Sequence, residues 1–179
     1  GLDQEGQRMT LENQVLFYRV ANTLNYLDIK TVLVSCGTCL DQLEKYQFDR
    51  IFPGSRLMDI HEYLAEKGVQ VSGENNVEYL YHDPCHSPIK TRDPLTTVRQ
   101  LLNRNDILLN ERCCGESGTL AMARPDISTQ IRFCKQRQVV DGARAVQQIP
   151  DPAHKVRLLT TCPSCLQGMY RFEDVANIA

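Results

Sequence analysis

The chain has 179 residues, of which 42% are hydrophobic and 23% are charged, and its formal net charge is −2 at pH 7. This length suits one sizeable domain or two small ones that share a core, and the composition is typical of a globular protein. Lysines and arginines form no basic stripe, and no apolar run approaches the roughly 20 residues of a membrane span, so neither nucleic acid nor a bilayer is an expected partner.

Apolar periodicity in the first 70 residues predicts three helices and one strand. The strand is short and β-branched, as buried parallel strands are, and it ends at a cysteine. In chain order, the expected elements are a helix from a Thr10 N-cap to about Leu27, a strand over 30–35, a helix over 38–46, and a helix through Leu57, Ile60 and Leu64 that stops at Gly68.

The remaining residues predict three more strands, separated by helices. In the long helix, Ile127, Ile131 and Cys134 recur on one side, so Cys134 is expected to be a small buried hydrophobic residue. The expected elements are a strand over 77–83, a helix from Asp93 and Pro94 through Leu102, a strand over 106–110, a long helix that opens at Pro125 and Asp126, a strand over 155–160, and a final helix.

This alternation predicts an α/β fold in which a mostly parallel sheet is flanked by helices. The cysteines other than Cys134 follow the carboxyl ends of the predicted strands, which is the edge where sites form in such sheets. Each following helix directs its N-terminus to that edge, and the exposed N–H groups there favour thiolates over thiols. These cysteines are Cys36, Cys39, Cys85, Cys113, Cys114, Cys162 and Cys165.

The sequence also contains an internal repeat. The segment "KTVLVSCGTCLDQL" matches "VRLLTTCPSCLQGM" when Cys36 is aligned with Cys162, 126 positions later. Both segments combine an apolar strand, a hydroxyl residue, a C-x-x-C pair and a leucine. The repeat predicts two related units in one compact module, with residues 1–70 as the second half of a truncated unit and residues 71–179 as a complete unit.

The N-terminus is polar and acidic and has no feature of a signal or transit peptide, so the expected compartment is a reducing cytoplasm. Association with a membrane through partner proteins stays open. In that compartment, grouped cysteines indicate metal ligands or redox groups rather than structural disulfides. A thioredoxin-like redox pair is an alternative for each C-x-x-C, and a zinc site shared by the two pairs is another.

The complete unit offers five cysteines, one more than a tetrahedral zinc site uses. The adjacent side chains of Cys113 and Cys114 also diverge too much to bind one small ion without strain. A multinuclear cluster removes both difficulties, because neighbouring thiolates can bind different metal atoms. The sequence therefore favours a cluster, with a four-cysteine zinc site as the alternative. The predicted ligands are Cys85, Cys113, Cys114, Cys162 and Cys165.

Several residues near these ligands in the sequence could support them. Arg112, His82 and His86 can offset part of the negative charge of five thiolates, and the two histidines are expected in supporting roles rather than as ligands. Gly115 would let the backbone approach the metal closely. A second, incomplete site is expected at Cys36 and Cys39.

The order C…CCG…CxxC resembles the CCG cysteine-rich domain. That domain occurs, usually doubled, in heterodisulfide reductase, in iron–sulfur subunits of glycolate oxidase and anaerobic glycerol-3-phosphate dehydrogenase, and at the C-terminal end of fused FAD-linked D-lactate dehydrogenase-like oxidoreductases. The segments "HDPCHSP", "ERCCGESGTLAMARPDISTQIRF" and "TTCPSCLQGMYRF" are most similar to the fused oxidases. The resemblance covers nearly the whole chain, although the interval from Gly115 to Cys162 is longer than the family's common form.

The resemblance implies an iron–sulfur cluster of the [4Fe–4S] type on the five cysteines, a cluster that has an unusual non-cubane form in heterodisulfide reductase. The chain would be an electron-transfer module without a catalytic residue of its own, fed by upstream FAD and ferredoxin-like domains and coupled to an unspecified acceptor. FAD would bind only in the parent protein, since the chain has no G-x-G-x-x-G and no P-loop. A zinc-binding structural or docking domain is the alternative. The family's spacing also makes Gly1 the expected glycine of a first CCG.

Overall fold

The computed structural model describes residues 2–24, 28–116, 119–146 and 155–172. No helix within these ranges is long and apolar enough to cross a bilayer. The elements are α1 (Leu2–Thr23), β1 (Thr31–Val34), α2 (Gly37–Leu43), a 3-10 turn (Glu44–Tyr46), α3 (Phe48–Ile51), β2 (Arg56–Asp59), α4 (Ile60–Glu66), β3 (Val77–His82), α5 (Pro94–Leu102), β4 (Leu108–Leu109), α6 (Leu120–Ala123), α7 (Pro125–Val146), β5 (Lys155–Thr160) and α8 (Pro163–Met169).

The strands form two small parallel sheets. β1 pairs with β2, and β3 lies between β4 and β5. Parallel neighbours need a crossover connection, and helices supply the crossovers here. The predicted class is confirmed: the fold is α/β, with parallel strands flanked by helices and with grouped cysteines beyond the strand ends. β3 and β5 match the predicted strands closely, whereas β4 is only two residues long.

The three-stranded sheet is covered on both faces, as parallel sheets usually are. Leu80 of β3 packs toward α7 and α8, where it meets Val139 and Met169 in a cluster that also contains two of the predicted ligands, Cys114 and Cys165. The opposite face carries Val77, Tyr79, Tyr81, Val98 and Ile107. A third cluster around the first unit joins Phe17 to Tyr46, Phe48, Ile51 and Phe52.

One predicted helix begins later than expected, because Leu57 lies in strand β2. The backbone at Asp59 is extended, and its Oδ1 accepts hydrogen bonds from the backbone N–H groups of His61 at 2.7 Å and Glu62 at 3.3 Å. A capping residue with extended backbone marks the helix boundary, so α4 begins at Ile60. Because β2 is followed directly by α4, Leu57 in the strand and Ile60 in the helix happen to be three residues apart, which is the spacing of one helical face.

The first helix begins earlier than expected. Thr10 lies inside α1, where its Oγ1 donates a hydrogen bond to the carbonyl of Gly6 at 2.9 Å, so Thr10 does not cap the helix. Hydroxyl side chains in helix interiors often bond back to the preceding turn in this way. The expected end near Leu27 lies outside the described residues, and α1 is described through Thr23.

The long helix α7 turns a different face to the core than its apolar pattern predicts. Cys134 is exposed, so the expectation that it is a buried hydrophobic residue was wrong. The buried positions are Ser128, Lys135 and Val139. Ser128 Oγ donates a hydrogen bond to the carbonyl of Gly115 at 2.8 Å, and this contact turns a polar face of α7 toward the CCG loop.

The two C-x-x-C pairs have the same local structure. Cys36 and Cys162 both have extended backbone and precede the seven-residue helices α2 and α8. The loop after β3 packs against the first of these helices, since a Cβ on Gly37 would lie 1.9 Å from the carbonyl oxygen of His86. The absence of a side chain at Gly37 therefore lets the two units meet at the edge that carries the cysteines.

Candidate metal centre

The register of the three-stranded sheet brings the cysteine-bearing loops to one edge. His82 at the end of β3 is paired with Thr160 at the end of β5, and the preceding Tyr81 is paired with Leu109 at the end of β4. Strands that end level in a parallel sheet deliver their next residues to the same edge. The segments that leave these ends carry Cys85, Cys162 and the Cys113–Cys114 pair.

Cys114 and Cys165 form the buried centre of the site. Their Sγ atoms are 3.2 Å apart, and the two residues are 2% and 6% exposed. A ring nitrogen of the buried His82 and these two sulfur atoms all lie within 4.8 Å of one another. Among the residues that the structure describes, His82, Cys114 and Cys165 form the group of potential ligands that lie close enough together to hold a metal ion.

Cys113 extends the group toward Cys85. The pKa of the Cys113 thiol is raised mainly by its hydrogen bond to Cys114, then by burial, and less strongly by Cys85. The pKa of Cys114 is lowered in return, first by its contact with Cys113 and then by its contact with Cys165, with a smaller contribution from His82. Cys85 therefore lies within interaction distance of the doublet, although it is itself exposed.

The Cys165 thiol and the start of α8 both lower the pKa of Cys162. Its pKa is lowered to about 6, first because the Cys165 thiol donates to its sulfur, and then because the backbone N–H groups of Cys165 and Ser164 do so. The pKa of Cys165 is raised first by its contact with Cys114, then by its contact with Cys162, and also by burial. Unsatisfied N–H groups in the first turn of a helix therefore add to the effect of the Cys165 thiol, in the direction that the strand–Cys–helix order predicts.

The C-x-x-C pair of the first unit lies near the same edge. The pKa of Cys39 is raised by its hydrogen bond to Cys36, then by burial, and also by the charges of Cys36 and Cys162. His86 Nδ1, in the loop that carries Cys85, lies 3.2 Å from Asp41 Oδ2 on α2. The alternative of a zinc site shared by the two C-x-x-C pairs requires this proximity, which depends on how the two repeats pack together.

Gly115 allows a close backbone approach to helix α7, whereas its predicted approach to a metal stays a prediction. Its φ is +79°, and a Cβ there would lie 3.0 Å from the carbonyl oxygen of Ser128. The backbone N–H of Gly115 also donates to Cys113 Sγ at 3.4 Å. A left-handed conformation with backbone contact on one side is a position that glycine fills with little strain.

Lys135 is a residue of the site that the sequence analysis did not identify. It is 0% exposed, and its Nζ lies 2.8 Å from the carbonyl oxygen of Asn110 and 3.0 Å from His82 Nδ1, and also hydrogen-bonds Asn110 Oδ1. Burial lowers the pKa of Lys135 to about 8, while the charges of Cys114 and then Cys165 act in the opposite direction. A single lysine in a helix is ordinarily a surface residue, so no sequence signal distinguished it.

Arg112 does not supply the buried positive charge. The residue is exposed, and its side chain makes no hydrogen bond or ion pair with any other residue that the structure describes. Its backbone N–H donates to Gln138 Oε1 at 3.0 Å, which fixes the loop before the doublet. The role of Arg112 in offsetting the thiolate charge stays a prediction, and the buried cation beside the thiols is Lys135.

The donor set fits a soft metal group. Thiolate and imidazole donors suit zinc, Cu(I) and iron–sulfur clusters rather than hard cations. His82 Nε2 is buried and has no hydrogen-bond partner within the described ranges, and such an orphaned atom calls for an explanation such as a ligand. Cys114 and Cys165 occupy the centre, Cys113 contacts Cys114, and Cys162 contacts Cys165. Which of the five cysteines bind metal stays a prediction.

Two comparisons show what the chain is similar to. It is 27% identical over 163 residues to an uncharacterized iron–sulfur protein of Methanocaldococcus jannaschii, and the match covers 89% of this chain but only 30% of that relative's length. No solved structure matches the chain. Residues 79–169 match the CCG cysteine-rich domain, as the motifs indicated. Because this match covers just over half of the residues, the chain belongs to the CCG cysteine-rich domain family.

Proposed function

We propose that the chain is an iron–sulfur electron-transfer module. The observation that carries this proposal is the convergence of the Cys114 and Cys165 sulfur atoms, 3.2 Å apart in the core, with further thiols in electrostatic contact. The iron–sulfur name of the archaeal relative supports it. Five thiolates are more than a single tetrahedral ion binds, whereas a cluster of the [4Fe–4S] type has several iron atoms and could use them. Its proposed ligands are Cys85, Cys113, Cys114, Cys162 and Cys165.

The chain's own residues would set the surroundings of such a cluster. When bound, the cluster would accept and release single electrons. Cys114 and Cys165 would hold its buried side, where water is excluded, and the N-terminal turn of α8 would stabilise the charge on Cys162. Cys85 is exposed, so its side of the site is where an electron donor or acceptor can approach.

We further propose that this module serves an FAD-linked oxidoreductase. A D-2-hydroxy acid would lose two electrons and two protons to the flavin and become a 2-oxo acid. The reduced flavin would release the electrons one at a time through ferredoxin-like domains to this module, and then to a quinone or another carrier. The similarity of "HDPCHSP" and "TTCPSCLQGMYRF" to the fused oxidases supports this part. The flavin would bind outside this chain, which has no dinucleotide motif.

A structural zinc site is the second candidate. The ring nitrogen of His82 and the sulfur atoms of Cys114 and Cys165 are mutually within 4.8 Å, and Cys162 is hydrogen-bonded to Cys165. These four residues offer a donor set of the kind that holds tetrahedral zinc. The domain would then be a docking or assembly element without redox activity.

Metal analysis of the full-length protein, prepared without oxygen, tests the first proposal. We expect a brown protein with broad visible charge-transfer absorption, containing iron and acid-labile sulfide, that is bleached by dithionite. Cys114→Ser and Cys165→Ser should each lose most of the iron. Cys134→Ser is the matched control, since Cys134 is exposed on α7 and should leave the iron content unchanged.

A colourless protein with one zinc per chain would overturn the electron-transfer proposal in favour of the docking domain. The flavin part is tested separately by adding D-lactate to the same anaerobic sample. We expect flavin bleaching followed by loss of cluster absorption. If the full-length protein and its tightly bound partners contain no flavin, the oxidoreductase assignment fails while the cluster assignment stands.

A further inference from the structure

We propose that Asp41 and Glu62 of the first unit are positioning residues for Cys85 of the second unit. They hold the loop of residues 83–92, here called the Cys85 loop, in the conformation that presents this thiol to the other predicted ligands. The ligand role of Cys85 rests on the proposed function, whereas the contacts of its loop do not.

The Cys85 loop has no regular secondary structure that would fix its conformation. It connects the end of β3 at His82 with the N-cap of α5 at Asp93, and it contains neither a helix nor a strand. Polar groups in such a segment need partners outside it, and those partners set its conformation. Cys85 itself is exposed, so burial of its own side chain does not hold it in place.

Glu62 of α4 anchors the C-terminal part of the loop. The residue is 1% exposed, and its Oε1 accepts hydrogen bonds from the backbone N–H of Thr91 at 2.7 Å, from the Thr91 hydroxyl at 2.8 Å and from the backbone N–H of Arg92 at 3.1 Å. A carboxylate accepts several hydrogen bonds at once, so it suits three converging donors. Glutamate is almost never fully buried unless it is paired in this way, and here its partners belong to the loop.

Asp41 of α2 holds the part of the loop that follows Cys85. Its Oδ2 lies 3.2 Å from His86 Nδ1, and its Oδ1 lies 2.9 Å from Lys90 Nζ. The backbone of the loop also lies against the same helix, since a Cβ on Gly37 would be 1.9 Å from the carbonyl oxygen of His86. Helix α2 therefore contacts the loop directly beside the predicted ligand.

The polar contacts in the middle of the loop come from the first unit. Apart from the thiol of the predicted ligand itself, the side-chain hydrogen bonds and ion pairs that the structure describes for residues 84–91 go to Asp41 and Glu62. The second unit contacts the start of the loop, where the Tyr81 hydroxyl donates to Asp83 Oδ1 at 3.2 Å. The first unit thus supplies the contacts that fix the segment between the two ends.

Release of the Cys85 loop would act on one predicted ligand and leave the others in place. Cys114 and Cys165 are buried in the core of the second unit, so their positions do not depend on Asp41 or Glu62. A ligand that is held in its bound position loses less conformational freedom on binding, and a loosened one binds more weakly. Loss of either carboxylate should therefore free Cys85 selectively from the metal.

Site-resolved alkylation of the full-length protein tests this inference. The protein is prepared without oxygen, with its metal bound, and treated with iodoacetamide, and the rate at each cysteine is read by mass spectrometry of its peptide. Because a metal-bound thiolate is a poor nucleophile, Cys85 of the wild type should react about tenfold more slowly with metal bound than after chelation. The exposed Cys134 on α7 is the internal reference, and its rate should not change.

The variants should release Cys85 in proportion to the contacts that they remove. Asp41→Ala should raise its alkylation rate about threefold, as expected for a partly exposed carboxylate with two contacts. Glu62→Ala removes a buried acceptor of three hydrogen bonds and should raise the rate about tenfold. Glu62→Gln keeps an acceptor oxygen and should restore most of the protection.

Selectivity distinguishes positioning from general destabilisation. In both alanine variants, the alkylation rates should stay at their wild-type values for the other predicted ligands, Cys113, Cys114, Cys162 and Cys165. Glu66→Ala is the matched control, because Glu66 is an ion-paired carboxylate of the first unit with the same 35% side-chain exposure as Asp41, and its partner is Arg56. This control should leave Cys85 protected.

The outcomes separate this inference from the proposed function. Unchanged protection of Cys85 in both alanine variants, equal loss of protection at all five cysteines, or a wild-type Cys85 that reacts equally fast with and without metal would each overturn the inference, even in a protein that contains an iron–sulfur cluster. Zinc in place of iron would refute the proposed function, and the alkylation pattern would still decide the inference, since zinc also protects a bound thiolate. If Glu62→Ala does not fold, the surface variant Asp41→Ala decides.

Discussion

Replacement of Gly37 by alanine should separate the two units of the fold. Gly37 is buried in the first turn of α2, and an added Cβ would lie 1.9 Å from the carbonyl oxygen of His86 and 3.1 Å from the backbone nitrogen of Pro88. Cβ atoms essentially never come within 3.0 Å of such atoms, so the loop must move by about 1.1 Å or more. The obstructing atoms are backbone, which no rotamer change can relieve.

The expected cost follows from the rigidity of this contact. Overpacking of a well-packed site costs ~1–3 kcal/mol, and a backbone obstacle places Gly37→Ala near ~3 kcal/mol. With a urea m-value of ~2 kcal/mol/M, the unfolding midpoint should fall by ~1.5 M. Because the loop that moves carries Cys85, the exposed thiol should also react faster with Ellman's reagent than in the wild type.

Gly6→Ala is the matched control for Gly37→Ala. Gly6 lies in helix α1 with nothing within 4 Å of its added Cβ, so alanine should stabilise the protein by ~0.5–1 kcal/mol through helix propensity. Urea unfolding of the reduced, chelator-treated protein, followed by circular dichroism, compares the two variants. A Gly37→Ala protein within ~0.5 kcal/mol of wild type would show that the loop and α2 are not in contact, and the interpretation of the two units as one packed module would fail.

Three further predictions concern the site and its supports. Cys162, whose pKa is lowered from 9.0 to about 6, should be alkylated by iodoacetamide in the chelator-treated protein with a rate midpoint near pH 6. Since the folded pKa is the lower one, the thiolate's contribution to stability should be complete above about pH 9 and disappear as the pH falls through about 6. A rate midpoint above pH 8 would contradict the stabilisation of this thiolate by Cys165 and the start of α8. Gly115→Ala should lower the free energy of unfolding by ~1–2 kcal/mol because of its positive φ, and an unchanged urea midpoint would argue against the left-handed turn. Glu62→Ala should cost ~3 kcal/mol, because the buried carboxylate accepts from the backbone N–H and hydroxyl of Thr91 and from the backbone N–H of Arg92, and calorimetry would check this against Glu66→Ala on the surface of the same helix.

The strands and the edge that they share were predictable from local sequence. Each strand other than β2 is a short apolar run that a cysteine follows within a few residues, so parallel pairing brings the cysteine-bearing loops to the strand ends. The strand over Arg56–Asp59 was missed for a local reason. It has four residues and is followed at once by a helix, so the apolar residues on both sides of the junction, such as Leu57 and Ile60, mimic one helical face.

The supports of the site could not be predicted in the same way. Lys135 contacts Asn110 and His82, which are 25 and 53 positions away in the chain, and lysine is normally exposed. The rotation of α7 that buries Lys135 and exposes Cys134 depends on how Ser128 meets the CCG loop. These are properties of tertiary packing, and the helical pattern of α7 pointed to the neighbouring face.

The buried cation and the thiols are best understood as one electrostatic unit. Lys135 lies in the same helix–sheet interface as the apolar cluster around Leu80 and Val139, where an uncompensated ammonium would be strongly destabilising. A thiolate at Cys114, whose pKa is lowered by Cys113 and then Cys165, would compensate that charge, and its own charge raises the pKa of Lys135. Loss of either partner leaves the other buried alone. The residues that provide ligands for a soft metal group therefore also stabilise the core behind the site. In the chelator-treated protein, the double variant Cys114→Ser/Lys135→Met should lose less free energy of unfolding than the sum of the losses in the two single variants.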